Sequence, residues 1–255
     1  MKFWMSACLY CFFSQMAFAE HTVDLAKLEY LTESYPPYNY IEDGEFKGIA
    51  IDLLNAALLQ ASHKPQDLNI RLFPWPRAYK MILKGSNRVL FSTTRTQERE
   101  PLFQWAGPIT STKIVLIALT EEQINIQSIE QLAQYSIGTI KDDIGEQLLL
   151  SSGFPLSQIR QAHSAESLVR MLSKGRIQLW AYEENVARWY IANSSLPNNR
   201  FTSVFTLKES ELFYAFSKDT DPKLVASFQD AIDKLKRPQV EGSQSRYDKI
   251  LSQYQ

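Results

Sequence analysis

The sequence contains only two cysteines, Cys8 and Cys11, and both lie near its N-terminus. The rest of the chain therefore cannot form a disulfide or use a cysteine nucleophile, so its hydrophobic core alone must stabilise it. The three histidines, His21, His63 and His163, are far apart in the sequence. Their separation lacks the spacing of a metal site, and we therefore expect no bound metal.

Strong charge and the common catalytic motifs are also missing. The formal net charge is −1, so no basic excess points to nucleic acid, and no polybasic run points to a membrane surface. The sequence has no phosphate-binding loop, no dinucleotide fingerprint and no Gly-x-Ser-x-Gly motif. We therefore expect no cofactor and no nucleic-acid partner.

The N-terminal residues have the layout of a secretory signal peptide. Lys2 supplies a positive start, residues 3–18 carry no charge, and Ala17 and Ala19 are small residues at the positions that a signal peptidase requires. We expect cleavage after Ala19, which would remove residues 1–19 and deliver the chain to the periplasm. A retained membrane anchor is the alternative, but a span needs roughly 20 apolar residues. This segment is shorter and contains Ser6, Ser14 and Gln15.

Beyond the signal peptide, short apolar runs alternate with segments of helical periodicity. The runs predict strands at 28–32, 69–73, 89–91, 113–119, 136–140, 177–182, 204–206 and 212–216. The periodic segments predict helices at 49–61, 77–84, 126–134, 144–151, 165–172, 184–191 and 222–235, with a terminal helix within 241–255. This alternation predicts an α/β fold with mostly parallel sheets flanked by helices.

The α/β pattern runs twice along the chain, and no flexible linker separates the two runs. Strand-like segments near 108–113 and 206–212 predict a two-stranded connection between two lobes. We assign residues 20–110 and 208–255 to the first lobe and 111–207 to the second. Ligands of open α/β sheets bind beyond the carboxyl ends of the strands, so two such sheets would form a ligand cleft between the lobes.

Four segments, in this order and spacing, resemble the family 3 extracellular solute-binding proteins that serve polar amino-acid uptake. They are YPPY (35–38), GIAIDL (48–53), STTRTQER (92–99, followed by Phe103 and Pro108) and AFSKD (215–219). The resemblance extends over roughly 28–254. It implies the two-lobed, type II periplasmic-binding-protein fold and a small polar, amino-acid-like ligand captured by hinge closure. It also implies a monomer that works with a membrane permease or a sensor.

Within the third segment, the resemblance implies that Thr94 and Arg99 hold the α-carboxylate of the ligand, with Ser92 beside them at the strand end. A guanidinium group suits this role because its planar fork matches a carboxylate with two parallel hydrogen bonds. The alternative is a surface arginine paired with a nearby glutamate. The additional Arg95 is either a second anion contact or a solvated charge.

Aromatic residues after the strands are further candidates for ligand contact. Tyr35 matches the ligand-stacking position of the family, and Trp75, followed by Arg77, lies on another loop after a strand. Aromatic walls exclude water and stack on cations or flat groups. The alternative is packing in the core or at the hinge, since tyrosine and tryptophan are often partly buried.

In the second lobe, the candidates are Lys141, Asp143 and Glu183. Glu183 matches the acidic position that contacts the ligand's ammonium group in the family. Asp143 departs from the family pattern and would repel a second anion, unless it only caps a helix. Ala50 is a further departure, since the family has aspartate there. These departures weaken the prediction of a standard α-amino acid.

Two other functions remain open from the sequence. Some dehydratases resemble the same family, and Glu183 with Glu184 near Arg99 would supply acid and base groups for such an enzyme. We expect no enzyme, because fold alone does not establish catalysis. The protein could also be a sensory binding protein outside any uptake system, and the sequence does not separate this role from transport.

Overall fold

The structure is a computed structural model and describes residues 24–61, 63, 68–240 and 242–254. The predicted signal peptide, residues 1–19, lies outside the described residues, as do both cysteines and His21. Within the described part of the chain, no helix is both long and apolar enough to cross a membrane.

Eight of the strands join in one sheet, and two others pair with each other in a separate hairpin. The strands are β1 (Glu29–Thr32), β2 (Tyr40–Glu42), β3 (Glu45–Lys47), β4 (Asn69–Leu72), β5 (Arg88–Thr94), β6 (Phe103–Leu119), β7 (Ile137–Ile140), β8 (Ile159–Ala162), β9 (Leu179–Glu183) and β10 (Phe201–Ser217).

The α-helices pack on the faces of this sheet and on each other. They are α1 (Ile49–Gln60), α2 (Trp75–Lys84), α3 (Ile144–Ser151), α4 (Ala165–Ser173), α5 (Glu184–Ala192), α6 (Pro222–Lys236) and α7 (Arg246–Ser252). Short 3-10 helices occupy Leu25–Lys27, Glu100–Leu102, Thr120–Glu122, Ile129–Gln134, Leu156–Gln158 and Asn198–Arg200.

The sheet consists of two parallel halves joined by two long antiparallel strands. Its order is β4-β1-β5-β10-β6-β9-β7-β8. In the first half β1 pairs in parallel with β4 and β5, and in the second half β7 pairs in parallel with β8 and β9. Strands β6 and β10 pair with each other between the halves. The predicted α/β fold with mostly parallel sheets and flanking helices is therefore confirmed.

The two long strands replace several shorter predicted ones. The predicted segment 113–119 is part of β6, and the segments 204–206 and 212–216 both belong to β10. Their ladder shifts register between Leu212 and Tyr214, opposite Gly107 and Pro108. Proline cannot donate a ladder hydrogen bond, which explains the irregularity. A Cβ atom at Gly107 would lie 2.9 Å from the Phe213 ring, so this close approach favours glycine.

Two predictions of secondary structure differ from the structure. Residues 126–134 do not form an α-helix; the 3-10 helix Ile129–Gln134 is there instead, and it buries only Leu132, too little for an apolar helical stripe. The edge strand β8 and the β2–β3 hairpin were not predicted. Strand β8 has only four residues, and the two that are buried, Ile159 and Ala162, lie at its ends. Its sequence therefore shows no alternation of apolar and polar residues.

The hydrophobic core lies between the sheet and its helices. Its largest fully buried apolar side chains include Trp180, Tyr30, Phe91, Phe216 and Phe228. Interiors of this kind are close-packed, so the strands that they hold have little freedom. The polar residues at the ends of these strands are therefore presented from a rigid base.

Candidate ligand-binding site

The carboxyl ends of the parallel strands carry most of the predicted site residues. Tyr35 follows β1, Thr94 ends β5, Asp143 follows β7, and Glu183 ends β9. Parallel strands end at the same edge of a sheet, so each half of the sheet gathers its own polar residues. Direct contacts between these two edges, described below, bridge the cleft between the halves.

Arg99 is the central charged residue on the side of the first half. Its side chain is 1% exposed, and its guanidinium group donates to the carbonyl oxygen of Thr94 at 3.2 Å. The guanidinium carbon lies 5.2 Å from the ring centres of both Trp75 and Tyr79. Burial lowers the pKa of Arg99, while Tyr79 and Asp143 favour the charged form. The Nε atom of Arg99 has no hydrogen-bond partner among the described residues.

The carbonyl oxygen of Asp142 joins the two halves of the sheet. It accepts hydrogen bonds from the indole N–H of Trp75 at 2.9 Å and from Arg99 at 3.3 Å, both across the cleft. Gln147 of α3 donates to the same oxygen at 3.2 Å. Asp142 has a φ of 60°, and its N–H donates to Glu146 at 2.6 Å. Aspartate tolerates this left-handed conformation better than most residues. The residue that adopts it is therefore also the one whose carbonyl oxygen contacts the first half of the sheet.

Trp75→Phe should test this bridge through thermal stability. The substitution keeps a ring over Arg99 but removes the indole donor, and loss of one buried hydrogen bond costs about 1 kcal/mol. For a chain of this size, that lowers the melting temperature by about 2–4 °C. Trp180→Phe is the matched control, because the buried indole N–H of Trp180 has no partner among the described residues. Equal losses in the two variants, measured by calorimetry, would mean that the bond to Asp142 contributes nothing.

Asp143 is a buried carboxylate that the protein leaves partly unsatisfied. It is the N-cap residue of α3 and is 4% exposed, and its Oδ2 atom has no hydrogen-bond partner among the described residues. Burial raises its pKa to about 6, although Arg99 and the N–H groups at the start of α3 favour the ionised form. A buried acceptor without a partner is costly, so this atom marks a place where a bound donor would be stabilising.

Glu33 is a second carboxylate at the cleft, and sequence reasoning missed it. It directly follows β1, and its half-buried side chain faces the second half of the sheet. Burial raises its pKa well above the usual value, the charge of Asp143 raises it further, and Arg99 opposes this shift. Its position directly after β1 could have identified it, because ligands bind beyond the carboxyl ends of strands. This rule had already selected Tyr35, two residues later.

Glu183, in contrast, is fully satisfied by the protein. It is 0% exposed, and its carboxylate accepts hydrogen bonds from the Tyr38 hydroxyl at 2.9 Å and the Thr112 hydroxyl at 3.3 Å. It also caps α5 by accepting from the Val186 N–H at 2.8 Å. Burial raises its pKa, and these hydrogen bonds oppose the shift. Since Tyr38 belongs to the segment after β1, Glu183 also joins the two halves.

Aromatic residues line the cleft beside these carboxylates. The Tyr35 ring packs edge-on against Tyr182 of β9 at 5.8 Å and lies 5.7 Å from Tyr38. The hydroxyl of Tyr190, in α5, donates to the carbonyl oxygen of Ser34 at 3.1 Å. Burial raises the pKa of Tyr35 and of Tyr182, so both phenols stay neutral.

The remaining predicted residues lie at different depths. Ser92 is buried with a φ of 56° and hydrogen-bonds to Asn39 beneath the cleft, without bridging it. Arg77 is exposed, with its guanidinium carbon 4.3 Å from the Phe73 ring centre, and Lys141 is also exposed. Arg95 forms a partly exposed ion pair with Glu100. The structure therefore brings Tyr35, Trp75, Thr94, Arg99, Asp143 and Glu183 together and leaves Arg77 and Lys141 outside.

A pocket of about 170 Å³ opens between the two halves. Glu33, Phe73 and Pro74 line it from the first half, and Ile140, Glu166 and Tyr182 are among the residues from the second. At about 30 Å³ per molecule, it has the volume of roughly five or six waters. Only a small ligand, or one end of a larger ligand, fits there.

Glu183 and Glu184 do not form a pair of catalytic carboxylates. Glu184 accepts hydrogen bonds from Arg188 and from Ser203, each at 2.9 Å, on a side of α5 away from the Tyr38 contact. Burial would raise the pKa of Glu184, but Arg188 and Ser203 lower it overall. In the described residues, no group of three or more histidine, cysteine or acidic side chains could hold a metal ion.

A model of the bacterial extracellular solute-binding proteins, family 3, matches residues 30–254. The chain belongs to this family. The resemblance inferred from the four sequence segments is therefore confirmed: family 3 comprises bacterial extracellular solute-binding proteins.

Solved structures similar to this family 3 protein share its fold over almost their whole length. A histidine kinase sensor domain with similarity to periplasmic binding proteins has a TM-score of 0.77 at 17% identity, covering 91% of this chain and 97% of that one. The arginine-, lysine-, histidine-binding protein ArtJ from Geobacillus stearothermophilus has a TM-score of 0.72 at 16% identity, covering 89% and 95%. The GluR0 ligand-binding core from Nostoc punctiforme, in complex with (L)-glutamate, has a TM-score of 0.71 at 16% identity, covering 89% and 98%. At these identities the likeness establishes the type II periplasmic-binding-protein fold.

Proposed function

We propose that this family 3 protein captures a small polar, amino-acid-like ligand in the cleft between the two halves of the sheet and releases it unchanged. The observation that carries the proposal is the Asp142 carbonyl, which Trp75 and Arg99 contact from the opposite side of the cleft. Buried aromatic and charged side chains surround this contact, as in many small-molecule sites. The residues that we propose for ligand contact are Tyr35, Trp75, Thr94, Arg99, Asp143 and Glu183, with Glu33 added.

Hinge closure is the proposed means of capture. The first proposed lobe comprises residues 20–110 and 208–255, and the second comprises residues 111–207. The long strands β6 and β10 connect the two lobes. A few contacts, such as that of Tyr38 with Glu183, bridge the cleft. A ligand shifts such an equilibrium only through contacts that it makes better in the closed state. The unpaired Oδ2 of Asp143 and Nε of Arg99 are atoms that could make such contacts.

The proposed setting is the periplasm, after removal of residues 1–19, with the protein acting as a monomer. Its partner would be either a transporter permease or a sensor in the membrane. Both roles have precedent among similar folds, since one neighbour is the sensor domain of a histidine kinase and another is the substrate-binding protein of an amino acid ABC transporter. Binding without catalysis is favoured because Glu183 and Glu184 face different partners.

A thermal-shift screen against amino acids, polyamines, organic acids and small peptides tests the proposed function. A ligand that binds only the folded state stabilises it by about 2.7 kcal/mol at a hundredfold excess over its dissociation constant. We expect at least one compound to raise the melting temperature and to be recovered unchanged by mass spectrometry. Consumption of the compound would support the enzyme instead, and no response to any of the four classes would count against this function.

A further inference from the structure

The cleft contains more acidic than basic groups. Arg99 is the only buried basic residue in the described part of the chain. The acidic groups of the cleft are the buried Asp143, Glu146 and Glu183 and the half-buried Glu33. An excess of buried negative charge is unfavourable unless a cation compensates for it.

Two of these acidic groups are already satisfied, and two are not. Glu183 accepts three hydrogen bonds from the protein. Glu146 accepts from the N–H of Asp142 and from the side chain of Gln161. Asp143 keeps Oδ2 without a partner, and no described side chain donates a hydrogen bond to the Glu33 carboxylate. The acceptors that the protein leaves without a donor are therefore the buried Oδ2 of Asp143 and the half-buried carboxylate of Glu33, and both carboxylates interact electrostatically with Arg99.

Arg99 already uses part of its donor capacity within the protein. Its two terminal nitrogens each donate to a carbonyl oxygen, of Thr94 and of Asp142. Trp75 and Tyr79 lie over the guanidinium group, and the charge of Asp143 acts on it. The Nε–H of Arg99 has no partner among the described residues, so a carboxylate that bound side-on would share a terminal nitrogen that already donates to a carbonyl oxygen. A ligand carboxylate would also meet the negative charges of Glu33 and Asp143.

The pocket that Glu33 lines has the same bias. Glu33 and Glu166 line it together with His163, but no lysine or arginine does. Tyr182 and Tyr190 also line it, and aromatic faces attract cations. Its volume of about 170 Å³ suits a short chain with a charged end.

We propose that the ligand is a small organic cation, an amine or guanidinium compound without a carboxylate, whose charged nitrogen binds between Glu33 and Asp143. This inference rests on the proposed function, because it names the ligand class of the same cleft. Glu33 and Asp143 supply acceptors for the N–H groups, and Arg99 holds the cleft together through Asp142.

Matched pairs of compounds test the inference directly. Putrescine and ornithine, cadaverine and lysine, and agmatine and arginine each differ only in the α-carboxylate. In isothermal titration calorimetry of the chain without residues 1–19, we expect one of the amines to bind at least tenfold more tightly than its parent amino acid. Glu33→Gln and Asp143→Asn should each weaken that amine at least tenfold, while Glu184→Gln, outside the cleft, should leave its affinity unchanged.

The outcomes separate this inference from the proposed function. Tighter binding of the amino acid in its pair would overturn the cationic-ligand inference and leave capture of an amino-acid-like ligand standing. Binding of neither member of any pair would also overturn the inference, and the broader thermal-shift screen would then decide the proposed function. If the amine binds but both acidic variants retain its affinity, the assignment of Glu33 and Asp143 is wrong. Thermal unfolding of each variant establishes beforehand that it is folded.

Discussion

Asp143→Asn should raise the melting temperature of the ligand-free protein at pH 7 by about 4–8 °C. The carboxyl has a pKa of about 6 in the folded protein against 3.8 ordinarily, and each unit corresponds to about 1.4 kcal/mol. Asparagine caps a helix as well as aspartate does but has no charge to desolvate. The shift already includes the attraction of Arg99, and it corresponds to about 3 kcal/mol. Because the asparagine amide is still a buried polar group, we expect a gain of about 2 kcal/mol, which corresponds to this rise for a chain of this size.

The same shift gives the protein a defined pH dependence. Because the folded protein holds the Asp143 proton more tightly than the unfolded chain does, stability falls as pH rises from about 4 to about 6 and then levels off. The raised pKa of Glu33 acts in the same direction. The groups that face Asp143 and modulate this effect are Arg99, Glu33, Glu146 and the N–H groups of Ile144 and Gly145.

Calorimetric melting curves between pH 4 and pH 8 test this prediction. The melting temperature of Asp143→Asn should fall less than that of the wild type over this range. Asp142→Asn is the matched control, because Asp142 contacts the rest of the cleft through its backbone and asparagine tolerates its conformation. An unchanged or lower melting temperature of Asp143→Asn at pH 7 would mean that the site carboxylate does not destabilise the ligand-free protein.

Glu183→Ala should have the opposite effect, lowering the melting temperature by about 6–12 °C. The variant loses the cap of α5, which costs about 1 kcal/mol. It also leaves the buried hydroxyls of Tyr38 and Thr112 without their acceptor, which costs about 2 kcal/mol more. The total of about 3 kcal/mol corresponds to this change for a chain of this size.

Glu184→Ala is the control for this second prediction. Glu184 is adjacent and makes ion pairs with Lys113 and Arg188, whose side chains are 42% and 71% exposed. Pairs of this kind contribute at most about 1 kcal/mol each. A similar fall in melting temperature for both variants would show that the hydrogen bonds of Glu183 contribute no extra stability. The fall would then come from changing any residue at the start of α5.

Sequence patterns could predict the parallel halves of the sheet and the side chains at their edges. Alternating elements predict strands, and strand ends predict where Tyr35, Thr94 and Glu183 lie. Asp143 was already visible as a departure from the family pattern. The buried aromatic wall could be predicted only as one of two alternatives, because tyrosine and tryptophan serve equally well in a core.

Other parts of the site could not be predicted for physical reasons. The group that Trp75 and Arg99 contact is the carbonyl oxygen of Asp142, and every residue has a carbonyl oxygen. Its direction depends on a φ of 60°, which a side-chain motif does not reveal. The role of Glu33 could not be predicted, because the charged residues that act on it, Asp143 and Arg99, are far from it in the sequence. Arg77 and Lys141 were adjacent to site residues in sequence but lie on the surface.

The most direct test of ligand capture is a distance measured across the cleft. No cysteine follows Cys11, so Lys84→Cys and Lys174→Cys in the chain without residues 1–19 provide a clean spin-labelled pair on exposed positions of the two halves. We expect double electron–electron resonance to show a broad distance distribution without ligand. The compound that raises the melting temperature most should replace it with one shorter and narrower distribution. A distribution that the bound compound leaves unchanged would contradict capture by closure of the two lobes.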